Sequence, residues 1–528
     1  MIRRNLSYYF QYLGQDIPAG IVVFLVALPL CLGIAMASGA PLLSGVVAGV
    51  VGGLVVCWAS GSQLSVSGPA AGLTVIVLQA IGTLRSFDAF LAAVVLAGLI
   101  QLALGFLRAG MIGAYFPSSV IKGMLSAIGL ILIMKQLPHA VGFGADLVGE
   151  ETYVPQTPRD TWEEILYAFG SISPGATLVS VGAILIMLLW ESRWLKRIAL
   201  IPGPLVAVAW GVAFQYFSQG GRYAIADQNL VNLPDIQGFG DLAGHLVFPD
   251  FRQLANPTVY TIAATMAIVA SLETLLSLEA VDKLDPLRRV APTNRELKAQ
   301  GLGNLISGLL GGLPITAVIV RSSANINAGG RTKVACFIHG LLLLLSVGFM
   351  ARFLNYIPLS ALAAILLLTG YKLAKPALVM EMYRKGVSQF TPYLITVLAI
   401  LATDLLKGIA VGIACGLFYV VKANFHAAVA LTRKDNHYLL RLRNNVSFLN
   451  KALLRELLDQ VEPEGDLIVD GTYADFIDED ILGTLRDFRK AAADYDIAVQ
   501  FRNVRGLEPD SVPTSAPHVP ATTLALQH

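Results

Sequence analysis

A series of apolar runs, each close to the length that crosses a bilayer, dominates the sequence. About fourteen such runs follow one another between Ile17 and Lys422. A hydrocarbon core about 30 Å thick needs about 20 helical residues to cross it, and backbone polar groups inside it must be paired within regular structure. The composition, 55% hydrophobic and 14% charged with a mean hydropathy of +0.65, excludes an ordinary soluble protein. The chain is therefore predicted to be an all-α polytopic membrane protein.

The runs divide into two sets of seven. The first set lies near residues 17–37, 42–60, 65–81, 88–107, 112–136, 174–190 and 199–217. The second set lies near residues 257–280, 297–312, 314–327, 333–354, 357–371, 389–404 and 406–423. Because each set has an odd number of spans, the two halves would cross the membrane with opposite orientation. The pattern predicts a seven-plus-seven inverted repeat, in which secondary transporters place a site at the midplane between discontinuous helices.

The charges between the runs predict the orientation and the domain limits. Basic clusters occur near the N-terminus and within residues 193–197, 283–298 and 372–385, whereas the long loops 137–173 and 218–257 are acidic. The positive-inside rule then places both termini in the cytoplasm. The predicted domains are an N-terminal segment 1–16, a transmembrane domain 17–425, a small α/β domain 436–503 and a disordered tail 504–528. The net charge of +2 gives no indication of a nucleic-acid partner.

The third and tenth runs are interrupted at corresponding positions of the two halves. The third contains Ser67-Gly68-Pro69, and the tenth passes from the β-branched stretch Ile315 to Val320 into Arg321-Ser322. Each pattern predicts a short extended piece followed by the start of a helix. Two half-helices that begin at mid-membrane would direct free N–H groups and positive dipole ends at one spot, which favours an anion. The alternative is that Gly and Pro only kink two ordinary spans.

Two ionisable side chains fall within these spans. Arg321 stands in the tenth run and Glu273 in the eighth, with Ser277 four residues later on the same helical face. Ionisable groups at this depth are costly unless partnered and are functional candidates. Glu273 and Arg321 either neutralise each other as a buried pair, or a proton or sodium ion on Glu273 releases Arg321 for an anion. No metal cluster or nucleophile-and-base pair occurs within the spans, so no enzyme is predicted.

Several separate motifs resemble those of the SulP family of inorganic anion permeases, whose animal relatives include the motor protein prestin. The motifs are Ala27-Leu28-Pro29, Ser67-Gly68-Pro69, Lys135-Gln136-Leu137-Pro138, Gly311-Gly312-Leu313-Pro314 with Gly329-Gly330-Arg331-Thr332, and Ile357-Pro358-Leu359. The cytoplasmic module resembles the family's STAS domain through Asp470 and Phe476-Ile477-Asp478. The resemblance implies a core domain and a gate domain, an elevator-like motion and a dimer.

The resemblance also implies which residues form the site. The candidate substrate-binding residues are Ser65, Ser67, Gly68, Pro69, Ala70, Val320, Arg321 and Ser322. The candidate residues for a coupling cation are Glu273 and Ser277 with the backbone carbonyls of Ala317 and Ile319. The sodium-coupled bicarbonate members of the family lack an arginine at the position of Arg321, so proton coupling, or none, is an alternative to sodium.

The expected function is secondary active transport of a small inorganic oxyanion, sulfate or bicarbonate, across a bacterial inner membrane. No cofactor is expected apart from a possible sodium ion. The expected partners are the anion, the lipid bilayer, a second copy of the chain and a possible cytoplasmic partner of the STAS-like domain. The alternatives are an uncoupled anion channel or exchanger, and a membrane scaffold whose STAS-like domain recruits soluble proteins.

Overall fold

Each apolar run becomes a helix or a broken helix in the computed structural model, which describes residues 6–111, 117–143, 172–190, 192, 201–234, 241, 243–403 and 405–507. The chain divides into two units, Met1–Ile413 and Ala414–His528. The helices of the first half are α1 (Leu6–Gln11), α2 (Leu13–Ala37), α3 (Leu42–Ala59), α4 (Thr74–Leu84), α5 (Phe87–Phe106), α6 (Ser118–Ala140), α7 (Pro174–Trp190) and α8 (Gly203–Ser218).

The second half repeats this order of spans. Its helices are α9 (Pro257–Leu284), α10 (Thr293–Leu309), α11 (Ile319–Asn327), α12 (Lys333–Leu354), α13 (Leu359–Leu373), α14 (Pro376–Arg384), α15 (Val387–Ala402) and α16 (Leu405–Ala427). Two short strands, β1 (Ser67–Pro69) and β2 (Ile315–Ala317), precede α4 and α11. Among the described residues, seven helices are long and apolar enough to cross a membrane. The short α14, nine residues long, lies between α13 and α15.

The helices pack as two groups, each of which contains helices from both halves of the repeat. One group joins α2, α3, α5, α9, α10 and α12, and the other joins α6, α7, α8, α13 and α15. Within the first group, α5 and α10 are in close backbone contact. A Cβ on Gly301 would lie 2.6 Å from the backbone nitrogen of Leu102, and a Cβ on Gly98 would lie 2.8 Å from the carbonyl of Gly301. These glycines let the two backbones touch, as small residues do between helices in membranes.

Several predicted boundaries differ from the structure. The helix of the tenth span begins at Ile319, not at Arg321, because strand β2 ends at Ala317 and Val318 is the N-cap. The β-branched residues Ile319 and Val320 prefer extended backbone, but the helix start places Arg321 and Ser322 in the protein interior. The ninth span begins at Thr293, four residues before the apolar run. The fifth run, 112–136, lies partly outside the described residues, and α6 ends at Ala140.

The second unit is a small α/β module. Its strands are β3 (Val429–Lys434), β4 (His437–Val446), β5 (Asp466–Ile477) and β6 (Ala498–Arg502), and its helices are α17 (Lys451–Leu458) and α18 (Glu479–Ala492). The sheet order is β3-β4-β5-β6, with β3 and β4 antiparallel and the other pairs parallel. The core contains Leu440, Leu442, Val469, Ile481 and Leu485. This sheet with its two helices fits a STAS-like domain.

The predicted limits of this module, 436–503, are too narrow. Strand β3 lies before residue 436, where its apolar residues continue the run of the last span and were therefore not recognised as a strand. At the other end Val504 is buried in the module core, so the module extends past residue 503. The rest of the predicted tail, from residue 508, lies outside the described residues. Strand β4 ends at Val446 and is followed by a 3-10 turn, Phe448–Asn450.

Candidate functional site

The interrupted third and tenth spans meet at the strand pair formed by β1 and β2, which is called the crossing. β1 and β2 pair antiparallel, with Ser67 opposite Ala317, Gly68 opposite Thr316 and Pro69 opposite Ile315. The Val318 N–H donates to the carbonyl of Val66 at 2.9 Å and extends the pairing by one bond. An antiparallel pair is the arrangement that an inverted repeat produces when equivalent segments meet. A helix begins directly after each strand, so two helix N-termini come together at the crossing.

On the side of the third span, a helix start faces a carboxylate. Ala70 is extended (φ −113°, ψ 138°), and a 3-10 turn, Ala71–Leu73, leads into α4. The Gly72 N–H donates to the carboxylate of Glu273. A Cβ on Gly72 would lie 2.6 Å from both carboxylate oxygens, so the contact requires glycine. The positive end of this half-helix is thus directed at Glu273.

On the side of the tenth span, the first turn of α11 is open to the surroundings. Ile319 and Val320 are 39% and 48% exposed, and the first N–H groups of a helix have no partner within it. Ser322 ties the turn to the third span, since its Oγ accepts from the Val66 N–H at 2.9 Å and donates to the Val318 carbonyl at 2.7 Å. These bonds hold the open helix N-terminus against β1.

Arg321 is fully buried behind the crossing. Its Nη2 donates to the carbonyl of Pro69 at 3.3 Å, while Nε and Nη1 are buried without a hydrogen-bond partner. A Cβ on Gly68 would lie 2.2 Å from Nη1, so the guanidinium packs directly against the backbone of β1. Because Arg321 and the exposed Ile319 lie on different faces of α11, the positive charge acts on the open helix end from behind it.

Glu273 and Arg321 do not form an ion pair in the described residues. Glu273 lies on α9 at the start of α4, and one of its oxygens, Oε2, is buried without a partner. The next residue, Thr274, binds the crossing directly, since its Oγ1 accepts from the Ala317 N–H at 3.3 Å. The buried pair that the sequence allowed is therefore absent. Arg321 packs against Gly68 and Pro69 of β1, whereas Glu273 lies beyond them at Gly72.

The remaining predicted residues lie around the same point with different surroundings. Ser67 is buried and its Oγ accepts from Gln300, whereas the buried Ser65 Oγ has no partner among the described residues. Ser277 is buried on α9 one turn beyond Glu273. No group of three or more His, Cys, Asp or Glu side chains in the described part of the chain has the arrangement of a metal site. A cation at Glu273 would thus depend on one carboxylate together with hydroxyl and carbonyl oxygens.

The sequence analysis did not identify Gly72, Thr274 or the polar side chains of α10 as residues of this site. Gly72 and Thr274 lie close in sequence to the predicted site residues Ala70 and Glu273. The polar side chains form a row on α10, in which Gln300 contacts β1 and Asn304 contacts β2. Their spacing of four residues was a usable signal, because it places both on one face of a helix.

Comparison with known proteins agrees with this architecture. Residues 13–397 match the Sulfate permease family. The chain belongs to this family. Sulfate permease family members are transporters and not enzymes. The chain is 26% identical over 450 residues to the putative sulfate transporter YvdB of Bacillus subtilis, covering 84% of this chain and 80% of that protein.

Two further sulfate permease relatives carry different names. The chain is 27% identical over 376 residues to the bicarbonate transporter BicA of Picosynechococcus, covering 69% of this chain and 62% of that protein. It is 25% identical over 432 residues to the sodium-independent sulfate anion transporter of Bos taurus, covering 74% and 67%. The family relation therefore supports anion transport by a multi-pass membrane protein, while the named anions differ between relatives.

Solved structures of the family share the fold. The transmembrane domain of a cyanobacterial bicarbonate transporter BicA superposes with a TM-score of 0.64 at 25% identity, covering 76% of this chain and 98% of that chain. The structure of SLC26A9 superposes with a TM-score of 0.76 at 17% identity, covering 94% of this chain and 85% of that chain. The predicted fold class, a helical polytopic membrane domain followed by a small STAS-like α/β domain, is confirmed.

Proposed function

We propose that the protein is a secondary active transporter that carries a small inorganic oxyanion, sulfate or bicarbonate, through the crossing of β1 and β2. The observation that carries the proposal is the buried guanidinium of Arg321. Two of its nitrogens have no partner and no carboxylate offsets its charge within 4.0 Å among the described residues. An unpaired buried cation is costly, and an anion at the adjacent helix N-termini offsets that charge.

The anion would be held mainly by the open end of α11. The N–H groups of Ile319, Val320 and Arg321 begin this helix, and a helix N-terminus with its dipole is a site for oxyanions. Ser65, Ser67, Gly68, Pro69 and Ala70 would complete the site on the β1 side, with Ser322 fixing the α11 end. Arg321 would contribute charge and not direct contact, since its side chain lies behind the strands.

Glu273 would carry the coupling cation. A proton or sodium ion on its partnerless Oε2 would neutralise Glu273, with Ser277 and the carbonyls of Ala317 and Ile319 as further oxygens for sodium. Because the anion and the cation would then lie on two sides of the same strand pair, binding of each would favour binding of the other.

We further propose an elevator-type alternating access, in which the group that contains the crossing moves against the group that contains α6 and α13. Bistable packing between two rigid groups is a known basis for such motion. The protein would act as a homodimer in a bacterial inner membrane with both termini in the cytoplasm. The STAS-like domain would face the cytoplasm and would be available to a soluble partner.

Uptake into proteoliposomes tests the proposal. Labelled sulfate and bicarbonate are offered under imposed sodium or proton gradients, with chloride and dicarboxylates as competitors. Saturable, gradient-driven uptake supports the transporter. Large steady currents without saturation would instead favour an uncoupled channel or exchanger, and absence of anion binding by the transmembrane domain would favour a scaffold.

Two variants with matched controls assign the roles. Arg321→Ala should weaken anion affinity at least about tenfold, the factor expected from about 1.4 kcal/mol, while the exposed Arg384→Ala should not. Glu273→Gln should abolish the response to the gradient, while Glu279→Gln on the same helix, 64% exposed, should leave it intact. Unchanged affinity in the first case, or unchanged gradient response in the second, removes that residue from its proposed role.

A further inference from the structure

One face of α10 carries a row of buried polar side chains that reaches both crossing strands. Glu296, Gln300 and Asn304 are 0%, 0% and 1% exposed, and their spacing of four residues places them on one face of the helix. Polar side chains buried in a membrane helix are expensive unless each is hydrogen-bonded. Each of the three makes hydrogen bonds, although Gln300 Oε1 is buried without a partner among the described residues, and together they reach Ser60, β1 and β2.

The first two members orient the β1 strand. Glu296 accepts from the hydroxyl of Ser60, just after α3, and from Gln300 Nε2 at 3.0 Å. The same Nε2 donates its second hydrogen to Ser67 Oγ at 2.7 Å. Because the carboxylate accepts one hydrogen of the amide, the other is directed at Ser67. The Ser67 hydroxyl thus acts as an acceptor towards α10, and its own hydrogen is available to another group.

The third member holds the β2 strand at two points. Asn304 Oδ1 accepts from the Ile315 N–H at 2.5 Å, and Asn304 Nδ2 donates to the Ile315 carbonyl at 3.0 Å. The same nitrogen donates to Gln101 Oε1 at 2.6 Å, and Gln101 in turn donates to Ser271 on α9 at 3.2 Å. Both backbone groups of one strand residue are therefore bound by one amide. A single residue so bound cannot shift its register without losing both bonds.

The helix that carries this row is itself fixed. Its Gly301 meets the backbone of α5 at a distance that leaves no room for a side chain. Backbone contacts of this kind confine a helix more strongly than contacts between long side chains, which can change rotamer. The row therefore projects from a rigid support towards two short strands of three residues each, which have few bonds of their own.

We infer that Glu296, Gln300 and Asn304 are positioning residues of the anion site. Gln300 sets β1 through Ser67, Asn304 sets β2 through Ile315, and Glu296 fixes the amide of Gln300. Together they hold the two helix N-termini at the spacing that a bound oxyanion needs. The inference rests on the proposed function only for the identity of the ligand, because the hydrogen bonds to the strands exist without it.

Hydrogen–deuterium exchange of the full chain tests the holding role directly. Gln300→Met and Asn304→Leu remove the amides with little change in volume, and Gln215→Met alters a glutamine that is also buried but lies on α8 in the other packing group. We expect faster exchange in residues 63–70 for Gln300→Met and in residues 311–318 for Asn304→Leu, with no change at either strand for Gln215→Met. Unaltered exchange at the strands in both variants would overturn the inference, and if Asn304→Leu fails to fold, Gln300→Met decides.

Binding of labelled sulfate and labelled bicarbonate tests the consequence for the site. Gln300→Met should weaken binding about tenfold, equivalent to about 1.4 kcal/mol, with little change in the thermal midpoint. If Gln300 acts through Ser67, the double variant Gln300→Met with Ser67→Ala should bind no more weakly than the weaker single variant. Additive losses would contradict action through Ser67. If the wild-type chain binds neither anion, the proposed function is wrong, and the exchange experiment still decides whether the row holds the strands.

Discussion

Alanine substitution of two glycines at the crossing can separate the effect of Arg321 from the effect of Glu273. A Cβ on Gly68 would lie 2.2 Å from Arg321 Nη1, and a Cβ on Gly72 would lie 2.6 Å from both carboxylate oxygens of Glu273. Neither glycine has a positive φ, so alanine changes contacts and not backbone preference. Gly68→Ala therefore displaces the arginine alone, and Gly72→Ala displaces the glutamate alone.

The size of the first effect follows from the geometry. Real Cβ contacts essentially never fall below 3.0 Å, so the guanidinium must retreat by at least about 0.8 Å, the difference between 3.0 Å and 2.2 Å. The bond from Nη2 to the Pro69 carbonyl is already 3.3 Å long, and this movement breaks it. The same bond is lost in the free and the anion-bound protein, so anion affinity changes through the displaced positive charge, and it should fall by up to about tenfold, equivalent to about 1.4 kcal/mol.

Gly72→Ala displaces Glu273 by a shorter distance, and it should act on cation coupling more than on anion affinity. The carboxylate must retreat by at least about 0.4 Å, the difference between 3.0 Å and 2.6 Å, and it loses the Gly72 N–H as a donor. We expect Gly72→Ala to change the dependence of uptake on sodium or pH, with a smaller change in anion affinity than Gly68→Ala produces.

Anion binding and gradient-driven uptake, measured for both variants in parallel, are the assays. Gly14→Ala is the matched control, because a Cβ there meets nothing within 4 Å. The reasoning is refuted if both variants lose affinity and cation dependence in the same proportion, since the two charges would then act as one unit. It is also refuted if Gly68→Ala binds the anion as the wild type does.

Three further predictions concern the helix framework and the STAS-like domain. Asp16→Ala should lower the melting temperature of the detergent-solubilised protein, because the buried Asp16 accepts from the N–H groups of Arg331 and Thr332. Each buried group left without a partner costs about 1–3 kcal/mol. An unchanged melting temperature would contradict this. Gly301→Ala should reduce the yield of folded protein by separating α5 from α10, and normal yield and stability would show that the helices adjust. In the STAS-like domain, the hydroxyl and N–H of Thr472 lower the pKa of Asp470 from its ordinary 3.8. The stability that this lowered pKa contributes is present above about pH 4 and is lost as the pH falls through the lowered pKa. Thr472→Val should therefore reduce the denaturant midpoint of this domain at pH 6 and have a smaller effect in strong acid. Hydrogen exchange of residues 466–477 follows the change.

Much of the fold could be predicted because a bilayer restricts the choices. The lengths of the apolar runs and the prolines and glycines of the third and tenth runs were sufficient for a polytopic helical fold and for two broken helices. The same rules do not place one side chain against another. Glu273 was assigned to the site from its depth, but its contact with Gly72 depends on how α9 packs against the start of α4, which no local pattern specifies.

The helix start at Ile319 and the row on α10 show why the remaining features were missed. Ile319 and Val320 favour extended backbone by intrinsic preference, and burial of Arg321 and Ser322 outweighs that preference. Gln300 and Asn304 lie in a run that was counted as apolar because its average was high enough, although individual positions were not apolar. Averaging over a window finds spans and hides polar side chains that bind backbone within the membrane.

The separation of Glu273 from Arg321 bears on which anion the site would accept under the proposed function. With both groups ionised, their charges cancel, and each helix N-terminus adds roughly half a positive charge. Two such ends offset about one negative charge, which matches bicarbonate. Sulfate brings two, so about one negative charge stays unbalanced in a region of low dielectric constant until a cation neutralises Glu273. Withholding sodium and protons should therefore weaken sulfate binding more than bicarbonate binding. Equal losses for the two anions would mean that the excess charge of sulfate is offset elsewhere, by solvent or by a group outside the crossing.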